Sequence, residues 1–214
     1  MPTIHCISGL GADQRMFQKL NIPGAVLKSV PWPYFDKYDE LACYAQKVAA
    51  QIPEGPDEVI LGLSFGGMLA SEIARARPSA KVVIVSSAKS SSEFPPGSWW
   101  IKFLARNGLM PVGIAKLPNS QMLERFGADT IEEKKLMRSI LQGLDNHFTA
   151  CALRAMLEWQ STPAPEGILH IHGTADEMIL PGKIKPTYWV KGGKHIMIYS
   201  RAAEVSALIA KHLS

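Results

Sequence analysis

VILGLSFGGML, residues 59–69, decides how the rest of the chain is read. Val59, Ile60, Leu61 and Leu63 form the branched apolar run of a buried strand, and Met68, Leu69 and Ile73 open a helical face. Between them stands Gly62-Leu63-Ser64-Phe65-Gly66, with Gly67 following. A strand that becomes a helix within two or three residues needs a sharp turn, and the residue at its apex is commonly strained. Glycines two before and two after the apex remove side chains that would collide with the neighbouring strand and helix. Ser64 is therefore expected at the apex, its hydroxyl held out from the sheet edge at a helix N-terminus. This G-x-S-x-G pattern in a strand–turn–helix setting is a nucleophile elbow. The competing reading is a small-residue turn whose serine only caps the helix that follows.

The 214 residues suit one α/β domain with a small insertion and are ample for a sizeable core. With 47% hydrophobic and 20% charged residues, the composition is that of an ordinary globular protein. A net charge of +4 without any dense Lys/Arg block argues for solvated surface and against a nucleic-acid partner. Cys6, Cys43 and Cys151 are odd in number and show no C-x-x-C spacing, which favours a reducing, cytoplasmic setting over a disulfide framework. The N-terminus runs straight into PTIHCISGLG, so no signal peptide is expected, and no apolar run is long enough to span a bilayer. A membrane partner is not expected either.

Strands are expected at 3–8, 25–30, 58–63, 81–88, 167–173 and 186–192. Helices are expected from about Asp13, over 39–52, after the elbow as far as Pro78, and over 201–213, the last burying Val205, Leu208, Ile209 and His212 or its neighbours. The face Leu41, Tyr44, Ala45, Val48, Ala49, Ile52 has a 3.6-residue period. Such alternation implies an open parallel sheet of about six strands with helices on both faces. Residues 89–160 break the rhythm, because they carry only helical signals. Thr130 with Glu133 makes a capping box, and Phe148, Cys151, Ala152, Ala155, Met156 and Trp159 stripe a further helix. The expected division is a core of 1–88 and 161–214 with a helical lid of 89–160, inserted between the fourth and fifth strands above their C-terminal ends.

A serine hydroxyl needs a base to take its proton, and the base needs an acid to orient it. The fifth strand ends in HGTADEMILP, which puts Asp176 in the loop after it, and the sixth ends in KGGKHIMI, which puts His195 in the next loop. Loops at strand C-termini are where an open α/β sheet builds its site. Ser64, Asp176, His195 is also the chain order that accompanies this elbow. Taken singly, Asp176 reads as a turn cap before Pro181 and His195 as a partly buried surface imidazole. Glu93, after the fourth strand, is the alternative acid. Donors for an oxyanion are expected from the backbone N–H of Phe65 and of Leu10, the latter in the glycine loop SGLGAD, which otherwise reads as a plain strand–helix turn. His170 and His172 alternate along the fifth strand. They lack a third ligand nearby and read as core histidines, with no metal expected.

Together ISGLGAD, GLSFGG, HGTAD and GGKHIMIY resemble the α/β-hydrolase superfamily, over nearly the whole chain outside the insertion. The resemblance implies a Ser–His–Asp hydrolase working through an acyl-enzyme, without cofactor or metal. Two departures stand out. The oxyanion loop begins Ser8-Gly9 where many members have His-Gly, and the chain starts at what would be the family's third strand. The expected activity is cleavage of a small-molecule carboxylic ester or thioester. Other reactions on the same triad (C–C bond hydrolysis, acyl transfer, hydroxynitrile cleavage) and a ligand-binding role stay open, because fold does not fix substrate. A serine at 64 argues against the dehalogenase and epoxide hydrolase branches, which use an aspartate there. Phe94, Trp99, Trp100, Phe103 and Met110 make the lid apolar. Trp99 and Trp100, after the Pro95-Pro96-Gly97 break, are candidate pocket residues or lid core.

Overall fold

The computed structural model describes residues 1–93 and 118–213. Among them, β1 (Thr3–Ile7), β2 (Val26–Ser29), β3 (Glu58–Leu63), β4 (Lys81–Val85), β5 (Leu169–Gly173) and β6 (Tyr188–Val190) form one sheet in the order β2-β1-β3-β4-β5-β6. Every neighbouring pair is parallel. The order reverses between β1 and β3. At such a switch point the loops leaving the two strands diverge and open a crevice.

The helices are α1 (Leu41–Ala49), α2 (Phe65–Ala76), α3 (Ser120–Phe126), α4 (Ile131–Gln142), α5 (Asn146–Leu157), α6 (Met197–Ser200) and α7 (Ala202–Leu213). Alternate strand residues feed two cores. Ile4, Leu61, Val83, Val85 and Ile171 pack with α7 on one face, and Ile7, Ile60, Val82 and Ile84 pack with α1 and α2 on the other. Each fully buried Leu or Ile contributes roughly 1.5–3 kcal/mol by leaving water, so the period-two pattern sets which face each strand turns to which helices. Helices α3 and α4 join the first core through Leu123, Met137, Ile140 and Leu141, and α5 joins the second through Cys151, Ala152 and Ala155.

The capping box forms as expected. Thr130 Oγ1 accepts the Glu133 amide at 3.2 Å and Glu133 Oε2 accepts the Thr130 amide at 2.9 Å. Asp145 caps α5 by accepting the Phe148 amide at 2.6 Å. Two expectations differ in detail. The element after β1 is only a 3-10 turn, Gln14–Phe17, with Asp13 as its N-cap accepting the Arg15 amide and guanidinium. The terminal helix α7 covers Ala202–Leu213 as expected and is preceded by the short α6, but His212 is exposed while Val205, Ser206 and Ile209 are buried. No helix among the described residues is long and apolar enough to cross a membrane.

Candidate active site

The turn after β3 explains the spacing of its glycines. Ser64 adopts φ 52°, ψ −117°, a left-handed conformation that a non-glycine residue keeps only when its surroundings hold it there. Its amide donates to Val85 O at 3.0 Å, and its carbonyl accepts the Gly67 amide at 2.9 Å and the Ser87 hydroxyl at 2.7 Å. A Cβ at Gly62 would stand 2.4 Å from Gly66 O, and one at Gly66 would stand 2.3 Å from both Ile7 O and Ser8 O. Neither position admits a side chain, so this tight turn requires glycine two residues before and two after its apex. The Ser64 side chain makes no capping bond to α2, contrary to the plain cap reading.

Asp176 and His195 are brought together by the ends of β5 and β6. A Cβ at Gly173 would lie 2.1 Å from Gly193 O, so the two strand ends touch backbone to backbone. The Ala175 amide donates to Gly193 O at 3.0 Å, and the Gly192 amide to Thr174 Oγ1 at 2.8 Å. Across this joint His195 Nδ1 meets Asp176 Oδ2 at 2.9 Å and Oδ1 at 3.1 Å. On the other side of the ring His195 Nε2 meets Ser64 Oγ at 2.9 Å. Asp176 Oδ1 also accepts the Met178 and Ile179 amides, each at 2.9 Å. Asp176 is 2% exposed and His195 6%, so the pair is nearly free of bulk water. Burial pushes the Asp176 carboxyl up, but the nearby His195 charge and the bonds from His195 and Ile179 outweigh it and hold the group below its ordinary value.

Ser64 and His195 open onto a cavity of about 280 Å³, lined by Leu63, Met16, Phe126, Met137, Leu153, Met156, Met178 and Ile179. Apart from the two polar groups and the backbone of residues 9–12, this lining is apolar. Leu10 lies on its wall, and a Cβ at Gly9 would come 3.3 Å from Ser64 Cβ, so the loop after β1 lies against the serine. Phe65 opens α2, where the amide has no carbonyl one turn back to bond. Among the described residues neither the Phe65 nor the Leu10 amide donates a hydrogen bond.

Glu93 is engaged elsewhere, accepting the Lys89 amide at 2.7 Å. His170 and His172 are wholly buried, their rings edge to face at 5.4 Å, and among the described residues no group of three or more His, Cys, Asp or Glu is arranged to hold a metal. Trp99 and Trp100 lie outside the described residues. Several contributors escaped the sequence reading. Ser87, which ties down the strained Ser64 carbonyl, lay in the small-residue run SSA after β4. Phe126, whose ring stands 6.0 Å from His195, and the four methionines reach the cavity only through tertiary packing.

A six-stranded parallel sheet carrying a strained serine, a histidine and an aspartate on its C-terminal loops is the architecture of a hydrolase of the α/β class. The model of the alpha/beta hydrolase family matches residues 9–208, and the chain belongs to that family. Solved structures agree on the fold. An enol-lactonase from Burkholderia xenovorans LB400 is 18% identical with a TM-score of 0.70, the match covering 99% of this chain and 91% of that one. A thermophilic esterase from Thermogutta terrifontis is 15% identical with a TM-score of 0.67, covering 100% and 89%. The RedJ thioesterase of the prodiginine biosynthetic pathway in Streptomyces coelicolor is 17% identical with a TM-score of 0.63, covering 98% and 85%. At these identities the likeness is one of fold. No curated protein matches the chain by sequence.

Proposed function

We propose that the chain is a serine hydrolase that cleaves a carboxylic ester or thioester through an acyl-enzyme. The observation that carries this reading is the relay from Ser64 Oγ to His195 Nε2 at 2.9 Å and from His195 Nδ1 to Asp176 Oδ2 at 2.9 Å, opening onto an apolar cavity. His195 takes the Ser64 proton as Oγ attacks the carbonyl carbon. The resulting oxyanion is held by the Phe65 and Leu10 amides, donors worth a few kcal/mol each in such sites. As the tetrahedral species collapses, the leaving alkoxide or thiolate takes the proton from His195. Water then attacks the acyl-enzyme, again giving its proton to His195, and collapse returns that proton to Ser64 Oγ as the carboxylic acid leaves. Asp176 keeps the imidazole with its proton on Nδ1, which leaves Nε2 free to accept, and stabilises the imidazolium.

The apolar, methionine-rich lining supports an uncharged acyl group of flexible shape, since thioether side chains adapt to irregular occupants. Residues 89–160 act in this reading as a lid that sets acyl preference without doing the chemistry. Support comes from Phe126, Met137, Leu153 and Met156, all from that block and all on the cavity wall. Trp99 and Trp100, outside the described residues, are proposed as candidate substrate-pocket residues, with lid core as the alternative. Free thiols at Cys6, Cys43 and Cys151 support a reducing compartment such as the cytoplasm.

The test is steady-state hydrolysis of a panel of p-nitrophenyl esters and acyl thioesters of rising chain length. Turnover of uncharged acyl substrates and rejection of dicarboxylic half-esters are expected. No turnover of any ester or thioester would refute the assignment.

A further inference from the structure

Behind the Asp176 carboxylate stands a buried imidazole that the proposed chemistry does not use. His172 lies on β5 with no exposed surface, four residues before Asp176. Its Nε2 is 2.9 Å from Ile179 O and 3.8 Å from Asp176 Oδ2, and its Nδ1 has no hydrogen-bond partner among the described residues. A carbonyl oxygen only accepts, so Nε2 carries the proton and Nδ1 the lone pair. Burial pushes the His172 pKa down, against the pull of the Ile179 carbonyl and of the Asp176 and Glu93 charges. The ring is a neutral, one-directional donor.

The Ile179 peptide is held at both ends. Its carbonyl accepts from His172, and its amide donates to Asp176 Oδ1 at 2.9 Å. The Met178 amide meets the same oxygen at 2.9 Å. The turn 176–179 thus grips Oδ1 through two amides while Oδ2 makes the shorter contact to His195, and the His172 side chain fastens the far end of that turn to β5. With the carboxylate and imidazole only 2.9 Å apart, a turn free to shift by an ångström would take Asp176 out of line with Nδ1.

We propose that His172 is a positioning residue for Asp176: its Nε2–H donates to the Ile179 carbonyl and locks the 176–179 turn that aims the carboxylate at His195. This rests on the proposed role of Asp176. It accounts for an imidazole that is buried without its second nitrogen being satisfied, a choice that an apolar residue would better if packing were its only purpose.

The experiment measures kcat, KM and thermal midpoint for His172→Gln, His172→Asn and His172→Phe, and for His172→Asn in an Asp176→Asn background, with a short-chain p-nitrophenyl ester. A glutamine amide reaches as far as Nε2, whereas an asparagine amide stops at the position of Nδ1. The Gln variant should keep kcat within about threefold of the parent. The Asn and Phe variants should lose about 10- to 100-fold in kcat with KM within about twofold, whatever their midpoints. Added to Asp176→Asn, the His172→Asn change should cost no more than about a further twofold, because the two act through one group. Equal kcat in the Gln and Asn variants would overturn the proposal, since a space-filling role does not depend on reach. So would losses that multiply in the double variant. A fully active Asp176→Asn enzyme would instead overturn the triad reading, and this inference with it.

Discussion

Adding one methyl group at Gly66 tests whether the elbow's geometry, and not its composition, is what the site depends on. In an ordinary helix Gly→Ala is favourable by about 1 kcal/mol, and Gly66 lies in the first turn of α2. Here the new Cβ would stand 2.3 Å from Ile7 O, 2.3 Å from Ser8 O and 2.7 Å from Ile7 C, roughly 1 Å inside ordinary contact. All three atoms are backbone, so no rotamer change relieves the clash. Overpacking typically costs about 1–3 kcal/mol, and a clash on two sides with main chain belongs at or above the top of that range. The clash therefore exceeds the helix gain, for a net loss of about 2 kcal/mol. In a chain of this size that lowers Tm by about 4–8 °C. Relief comes only by moving the end of β1, which carries residues 8–12 and the Leu10 amide away from Ser64. A shift near 1 Å at a reacting centre costs about 10² in kcat. The assay is scanning calorimetry with ester turnover on Gly66→Ala, beside Gly182→Ala, where a Cβ would meet nothing within 4 Å. The control should stay within about 0.5 kcal/mol of the parent. A Gly66→Ala protein with parental Tm and kcat would refute the steric account.

Three further outcomes are expected. Asp176→Asn should lower kcat by about 10⁴, the scale known for the equivalent change in a serine protease, while Glu93→Gln leaves kcat within about twofold; the reverse ranking would move the acid to the loop after β4. Acid stability should also depend on Asp176, whose pKa is held below its ordinary 3.8 in the folded protein. A group depressed on folding stabilises fully above its unfolded pKa and loses that contribution as pH falls through the folded one. The midpoint should therefore fall more steeply below about pH 4 in the parent than in Asp176→Asn, and parallel curves would contradict the depressed value. Met156→Trp should fill part of the cavity of about 280 Å³ and shift the kcat/KM ratio toward short acyl esters, and an unchanged ratio would remove Met156 from the acyl site.

How far the sequence carried depends on the range of the interaction behind each signal. The elbow was legible because its constraint is local: Gly62 and Gly66 each face backbone at less than 2.5 Å, so only that pattern survives there. Asp176 and His195 were legible because the strand ends that hold them are themselves readable, and Gly173 and Gly193 mark the touching backbones. The Thr130–Glu133 box is likewise a matter of four consecutive residues. The cavity wall was not legible. Met16, Met137, Leu153 and Met156 come from segments more than a hundred residues apart, and nothing in a methionine's neighbours says what it will face. The helix expected from about Asp13 is only a 3-10 turn at Gln14–Phe17, capped by Asp13, whose carboxylate also holds the Arg15 guanidinium. His172 lies in the core, as its place on the fifth strand implies. Its bond to Ile179 O depends on a turn whose shape no spacing rule predicts.

The most direct measurement of the central claim is active-site labelling with a fluorophosphonate, followed by mapping of the modified peptide. Ser64 holds φ 52° with its hydroxyl 2.9 Å from His195 Nε2, so it should be the one serine that reacts at substoichiometric reagent. The label should map to the peptide carrying GLSFGG, and Ser64→Ala should lose both labelling and ester turnover while keeping the parental Tm within a few degrees. Undiminished labelling of Ser64→Ala, or a label on any other serine, would contradict the account.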